Sequence, residues 1–480
     1  MIKFPSNIQQ AIKASEALIY IAPSKHFNQG KYKKIIDGNW WSQLKEPLRD
    51  ISGGLMGKTL ETWTGTKDIS RIFLGILPEK VSRNNSPTRK ESIYKVSQGI
   101  NQVSKSTVIL VLDKEEHFRA ATAAIARRLG IFSMKKDHQE PTIHILAFLK
   151  NGTRIIPNKS VKAIAKSVPF ACMLVDTPPT DMNPNRFVKE VKKTLRGKAS
   201  IKIKEIVGDK LLDAGLTGIH AVGRTAIQAP RLLCLEYKPK AAKQKIALVG
   251  KGVTYDTGGL SLKISGNMVG MKSDCGGAAA VAAAFLTLVE GGTPHHIIAT
   301  LALVENAIGP NAYKPDDILE MHSGLSVEIN NTDAEGRVVL ADAISWTCRK
   351  YKPDVVLDAA TLTGAQMVAT GNLHAGFVTN SDNLENKAKE AGKKSGDLVA
   401  PLPFAPEFFK SEFTSSIADM KNSVKNRGNA QASCAAQFIF NHIEDLDVEW
   451  GHIDLAGPST DSSNRGTGFG VCLMAELAGL

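Results

Sequence analysis

The sequence predicts an α/β fold in two domains, the second built on a central mixed sheet flanked by helices. Three observations carry that expectation. Short β-branched apolar runs alternate with longer helical stretches, the order that builds sheets covered on both faces. At 480 residues the chain exceeds what one hydrophobic core usually serves. In the second half, glycine and acidic residues cluster just after apolar runs, where open α/β sheets bind ligands.

Taken in order, residues 17–21, 71–77 and 107–112 read as strands, and 92–103 and 118–129 as helices. Residues 82–88 form a polar loop. Residues 158–172 read as a helix linking the domains. The expected division is therefore an N-terminal α/β domain over 1–157, a linker helix over 158–172 and a C-terminal domain over 173–480. In that last part, strands at 246–249, 297–303, 355–358, 377–379 and 452–455 separate the helices. The longest apolar run, 276–289, is too short to span a bilayer. It reads as a small-residue helix packed close behind the strand ends. Residues 421–429 read as an exposed loop ahead of an Ala-rich helix.

Composition narrows the class. Hydrophobic content of 43% and charged content of 22% are ordinary for a soluble globular protein. Six scattered cysteines, with no close pairs, argue against a disulfide framework or a thiolate zinc site and for a reducing compartment. The first residues lack a signal-peptide apolar region, so a cytoplasmic protein with no membrane partner is expected. Charge is uneven. Residues 1–250 carry 43 Lys and Arg against 20 Asp and Glu, and residues 251–480 carry 17 against 27. Lys189, Lys192, Lys193, Arg196, Lys198, Lys202 and Lys204 make a basic surface. Without aromatic interleaving or a recognition-helix pattern, a solvated face balanced by the acidic half is preferred to nucleic-acid binding.

The chemistry concentrates in Asn331-Thr332-Asp333-Ala334-Glu335-Gly336-Arg337. Val327-Glu328-Ile329 before it reads as a strand, and residues 338–344 after it as a buried helix. Residues two apart on a strand-like stretch share a face, so Asp333, Glu335 and Arg337 are expected to converge. Acidic residues opening a helix are common for backbone reasons alone, so a second cluster has to decide. Residues 245–250 read as a buried strand followed by Lys251, Asp256 and Lys263, and Asp274 comes eighteen residues after Asp256. Together the clusters supply four carboxylates without a histidine, the donor set of hard or mixed cations. Lys251, boxed between glycines, is either paired with carboxylates or neutral and ligating, its pKa depressed by burial beside cations. Lys263 and Arg337 read as charged groups that stabilise an oxyanion.

These two blocks resemble the leucine aminopeptidase family, the two-zinc cytosol aminopeptidases. Asn331 to Arg337 matches the family signature throughout, and Lys251, Asp256, Lys263 and Asp274 match in identity and spacing. Asp358-Ala359-Ala360-Thr361-Leu362-Thr363-Gly364-Ala365, Ser416-Ile417-Ala418-Asp419, His452-Ile453-Asp454-Leu455-Ala456-Gly457 and Arg465-Gly466-Thr467-Gly468-Phe469-Gly470 agree as well. The similarity runs from about residue 168 to the C-terminus and is weak before it.

The resemblance implies a macro-like N-terminal domain used in assembly and a catalytic C-terminal domain with two divalent ions, Zn²⁺ or Mn²⁺, with Mg²⁺ admissible at one site. One ion would be held by Asp256, Asp333 and Glu335, the other by Lys251, Asp256, Asp274 and Glu335. Lys263 would polarise the scissile carbonyl. Arg337 would hold bicarbonate as general base on the metal-activated water. Met271 and Ala456 would line the first side-chain pocket, Leu362 would accept a hydrogen bond from the substrate, and Asn331, Thr361 and Gly364 would complete the substrate site. Ser459 and Thr460 stand where well-known members carry larger apolar residues, so the pocket's preference turns on Met271, Ala456 and Ser459. Cys275, where many relatives have methionine, reads as a small buried apolar residue.

The expected function is a metal-dependent exopeptidase removing leucine-like N-terminal residues from peptides, assembled as a homohexamer. Three alternatives stand beside it. They are a cysteinylglycine-type dipeptidase with the same chemistry, a basic nucleic-acid-binding member of the family, and a non-catalytic scaffold, which the intact charged positions disfavour.

Overall fold

The structure, a computed structural model, describes residues 1–31, 46, 48, 51–65, 69–198 and 200–480. It divides into two compact units. The first comprises Met1–Pro169 with Ala391–Leu398, and the second Phe170–Glu390 with Val399–Leu480.

The first unit holds strands β1 (Ile2–Lys3), β2 (Ala17–Pro23), β3 (Lys58–Trp63), β4 (Arg71–Leu77), β5 (Lys105–Leu112), β6 (Thr142–Leu149) and β7 (Arg154–Ile155). They form one sheet in the order β1-β6-β5-β2-β4-β3, with β7 beside β6. The five strands from β1 to β4 in that order are mutually parallel. Among the described residues, only the edge strands β3 and β7 run antiparallel. β2, β4 and β5 are buried almost throughout, which is why they read as unbroken apolar runs. The helix expected over 92–103 is split into Lys90–Val96 and a 3-10 turn, Gln98–Gln102. Arg128 donates to the Tyr94 carbonyl and to Ser97 Oγ, taking up acceptors at the end of that helix. The expected linker is a helix over Lys159–Asp176. Asn158 Oδ1 caps its start by accepting from Val161 N at 2.9 Å.

The second unit carries β8 (Ile201–Val207), β9 (Arg231–Tyr237), β10 (Lys245–Asp256), β11 (His296–Asn306), β12 (Ile318–Glu320), β13 (Ser326–Glu328), β14 (Val355–Ala360), β15 (His374–Thr379), β16 (Leu398–Pro401), β17 (Met420–Lys421) and β18 (Glu449–Asp454). Its main sheet has the order β16-β15-β18-β14-β10-β11-β9-β8. The centre, β18-β14-β10-β11, is parallel. β15 and β9 flank it antiparallel, and β8 pairs antiparallel with β9, so it runs in the direction of the centre again. This is the mixed sheet expected, and its four central strands present their carboxyl ends on one side. A small sheet, β12-β13-β17, lies apart from it.

Two helices cover the two faces. Helix Gly276–Gly291 packs on the face of Gly250. A Cβ on Gly250 would lie 2.6 Å from Ala278 Cα, and one on Gly277 only 2.0 Å from the Ala359 carbonyl oxygen. Glycine at both positions lets the helix axis approach the strands. The neighbouring residue, Lys251, points to the opposite face, where helix Glu335–Tyr351 lies. Counted with the 3-10 turn before it, Met271–Gly291 is 21 residues, long and apolar enough to cross a membrane. Its apolar window is 83% buried inside the protein, which accounts for its composition. All six cysteines, each among the described residues, are buried and outside any disulfide.

Candidate active site

The carboxyl ends of the parallel strands meet over one cavity of about 420 Å³. Asp256 ends β10, Asn306 ends β11, Thr361 to Gly364 follow β14, and Ala456 follows β18. The expected ligands, catalytic residues and substrate-site residues all line this cavity: Lys251, Asp256, Lys263, Met271, Asp274, Asn331, Asp333, Glu335, Arg337, Thr361, Leu362, Gly364 and Ala456.

The way Asp333, Glu335 and Arg337 converge differs from the expectation. They do not alternate along a strand. β13 stops at Glu328, residues 331–334 turn, and Glu335 is the first residue of helix Glu335–Tyr351. Asn331 shapes the turn, its Oδ1 accepting from Asp333 N at 3.0 Å. Thr332 fastens it to the other cluster. Its Oγ1 donates to the Gly258 carbonyl and accepts from Ser261 N, each at 2.7 Å. Glu335 and Arg337, two apart on a helix, then diverge. Glu335 turns to Lys251, while Arg337 Nη1 donates to the Asn422 carbonyl at 3.1 Å.

Lys251 is 2% exposed. Its Nζ donates to Asp274 Oδ1 at 2.7 Å and to the Thr361 carbonyl at 2.8 Å, and lies 3.1 Å from Glu335 Oε1. Lys263 Nζ lies 2.8 Å from Asp256 Oδ2 and 2.5 Å from Asp333 Oδ1. Asp256 Oδ1 accepts from Gly258 N and Asn306 Nδ2. Burial, then repulsion from Asp256, holds Asp333 and Glu335 above the usual carboxylate range, and Asp274 is raised by the same two causes. A depressed pKa was expected for Lys251 beside cations. With the carboxylates as its neighbours the shift runs upward: burial opposes its charge, but Asp274, Glu335 and Asp256 outweigh burial. Lys263 is raised in the same way. Burial pulls Arg337 down to about 10 against the attraction of Glu335.

The residues fit divalent cations. One oxygen each from Asp256, Asp333 and Glu335 lies within 4.8 Å of the others. Asp274 Oδ2 and Glu335 Oε2, both buried, accept no hydrogen bond among the described residues. Buried carboxylate oxygens without donors, on groups that repel one another, suit a metal centre. Cys275 does not join them. It is fully buried, its Sγ facing the Lys272 carbonyl, and burial pushes its thiol up to about 12.

Gly336 makes room for this arrangement. A Cβ there would lie 2.6 Å from Lys251 Cε and 2.7 Å from its Nζ. Gly336→Ala is expected to cost roughly 1–3 kcal/mol of stability by overpacking, read by chemical denaturation. A variant unfolding at the same denaturant concentration would contradict that close fit.

Several supporting residues escaped the sequence reading. Asp454 joins two strand ends, its Oδ1 accepting from Leu362 N at 3.1 Å and Ala456 N at 3.2 Å, its Oδ2 from Thr363 Oγ1 at 2.7 Å. The stretch 421–429 is only partly the exposed loop expected. Asn422 and Ser423 are buried, because β17 pairs with β13 and carries them inward. Asn422 Oδ1 accepts from Asn330 N and Asn331 N, and its Nδ2 donates to the Asn331 carbonyl at 2.7 Å. Ser423 and Arg427 line the cavity. An asparagine beside a two-residue strand carries no local signal of this role. Ser459, by contrast, lies outside the cavity lining, its Oγ donating to the Ala456 carbonyl at 3.1 Å. This bond to Ala456 links it to the lining.

Comparison with known proteins agrees with this geometry. Residues 169–475 match the cytosol aminopeptidase family, catalytic domain, and residues 53–138 match the M17 aminopeptidase N-terminal domain 2. The human "Probable aminopeptidase NPEPL1" is 44% identical over 414 residues, 84% of this chain and 78% of that protein. "Leucine aminopeptidase 1" of Caenorhabditis elegans is 40% identical over 411 residues, 84% of this chain and 82% of that protein. The solved leucyl aminopeptidase from Trypanosoma brucei in complex with bestatin superposes with a TM-score of 0.90 at 34% identity, covering 98% of this chain and 93% of that one. The chain belongs to the cytosol aminopeptidase family of metal-dependent N-terminal exopeptidases.

Proposed function

We propose that the protein removes leucine-like N-terminal residues from peptides using two divalent cations, Zn²⁺ or Mn²⁺, with Mg²⁺ admissible at one position. The observation that carries this reading is the cluster of four mutually repelling carboxylates, three buried and Asp333 partly so, with Asp274 Oδ2 and Glu335 Oε2 lacking donors among the described residues. Asp256, Asp333 and Glu335 would hold one cation, and Lys251, Asp256, Asp274 and Glu335 the other. When bound, such cations supply Lewis acidity and lower the pKa of water.

The chain's own groups do the rest. The Lys263 ammonium faces the cavity and is held charged, so it can polarise a carbonyl and stabilise the developing oxyanion. Arg337 Nε is buried without a partner among the described residues, leaving donors for a planar anion such as bicarbonate, the proposed general base. Thr361 commits its hydroxyl to Asp274 and its carbonyl to Lys251, so it shapes the floor of the substrate site. Asp454 fixes the loop whose Leu362 carbonyl would accept from the substrate. Met271, Met367, Leu362 and Ala456 give the pocket its apolar lining, which suits a leucine-like side chain.

The nucleic-acid alternative is weakened by the close pairing of two of the seven residues of the basic run. Lys192 lies 2.5 Å from Glu205, and Lys198 lies 2.8 Å from Glu290. A cytoplasmic homohexamer remains the proposed setting, and cysteinylglycine-type dipeptides would react by the same chemistry.

The test is hydrolysis of leucyl amide with and without a chelator, with Mn²⁺ or Zn²⁺ added back. Removing the metal is expected to lower the rate by at least about 10³-fold, since Lewis-acid stabilisation is worth several kcal/mol. Full activity in metal-free protein would overturn the reading.

A further inference from the structure

The cavity has two electrostatic poles. Its floor is the carboxylate cluster with Lys251 and Lys263. It is also lined by the exposed side chains of Arg427 and Asn267, by the partly exposed Ser273 and Gln431, and by the buried Ser423. Arg427 lies close enough to Arg337 for its charge to help depress that group, after burial has done most of it.

The turn that carries Arg427 is anchored, but its guanidinium is not. Glu412 is the acidic residue bound to this turn. Its carbonyl accepts from Lys425 N at 2.9 Å, its Oε2 from Asn426 N at 2.8 Å, and its Oε1 from Asn429 Nδ2 at 2.8 Å. Asn426 Oδ1 accepts from Gly428 N at 2.9 Å and closes the turn. The carboxylate that could have paired with Arg427 is thus used on the backbone and a neighbouring amide. No ion pair or hydrogen bond engages the Arg427 side chain among the described residues. A cation held at the mouth of a cavity, unpaired on a braced turn, is positioned to meet an anion.

We propose that Arg427 is a specificity-determining residue that pairs with a carboxylate on the leaving side of the substrate, so that short peptides with a free carboxylate just beyond the scissile bond are preferred. This rests on the aminopeptidase reading of the same site. A peptide whose first residue occupies the floor carries its chain outward at about 3.3–3.6 Å per residue, so in a dipeptide the carboxylate follows the scissile bond by one residue. The proposed cations on the floor would take the free amino end, and Arg427 would take the carboxylate, so the two ends of a short peptide match the two ends of the cavity.

The experiment compares kcat/KM for Leu-Gly, Leu-Gly amide and Leu-Asp amide in the metal-loaded full chain and in Arg427→Ala, Arg427→Glu and Arg427→Lys. The unaltered protein is expected to favour Leu-Gly over Leu-Gly amide by roughly five- to tenfold, the range for a partly desolvated charge-assisted pair. Arg427→Ala should bring the ratio to within about twofold, Arg427→Glu should invert it, and Arg427→Lys should retain most of it. An equal gain with Leu-Asp amide would extend the recognised group to an acidic side chain. A gain confined to Leu-Gly would restrict it to the C-terminus. A ratio that is the same in the unaltered protein, Arg427→Ala and Arg427→Glu would overturn the proposal. Metal-dependent hydrolysis of leucyl amide by the unaltered protein tests the underlying reading separately.

Discussion

Glu335→Ala is expected to abolish peptide hydrolysis and to lower metal content. Glu335 is 2% exposed, opens helix Glu335–Tyr351, and offers an oxygen to the same space as Asp256 and Asp333. As a proposed ligand shared by both cations, its loss affects both. The rate should fall by more than the ~10- to 100-fold that groups merely supporting a ligand cost. The isosteric Glu335→Gln separates electrostatics from packing. Burial and Asp256 oppose the charge on Glu335, so removing that charge relieves repulsion in the ion-free protein. The ion-free Tm should therefore hold or rise, while the increase in Tm on adding Mn²⁺ or Zn²⁺ shrinks with the lost affinity. Unchanged metal content in Glu335→Ala, measured by elemental analysis, would sink the shared-ligand role.

Lys263→Met should lower kcat by ~10²–10³-fold, the usual loss for one donor aimed at a developing oxyanion. Unlike Lys251, which is sealed under Gly336, Lys263 keeps about 15% of its side chain exposed at the cavity. Its ammonium can therefore reach a substrate without dismantling the floor. Metal content should stay near that of the unaltered protein, because Lys263 is not among the proposed ligands. A kcat within threefold of the unaltered protein, with metal bound, would contradict a carbonyl-polarising role.

Much of the fold was legible because buried parallel strands are unbroken apolar runs. Residues 71–77 were read with the ends the structure gives β4. The sequence pattern ends β10 several residues early. Gly250 and Gly252 look like breakers, yet they continue the strand and admit Ala278 of the covering helix. The charged residues of the cavity were legible from type and spacing, since four carboxylates that gather must be neutralised by something. How they gather was not. Alternation along a strand was inferred where a turn and a helix start do the work, because both patterns place acidic residues at the same short spacing. Asn422 and Arg427 were illegible for a different reason. Their place depends on β17 pairing with β13 across some ninety residues, and two-residue strands leave no periodicity to read.

The pairing of β17 with β13 has a consequence for how this scaffold can diversify. Asn422 grips the backbone of the metal-motif turn from one side, and only three residues later the chain emerges into solvent at Lys425. Up to Val424 the segment is geared to the chemistry, and a shift there would be transmitted to Asn331 and Arg337. From Lys425 to Gly428 it hangs instead from Glu412, and only the charge of Arg427 reaches Arg337. Insertions, deletions or recharging in those four positions would retune what the mouth accepts while the reaction centre keeps its geometry. The part that braces the reaction centre and the part that lines the mouth thus share one short loop, and Val424 is the border between them.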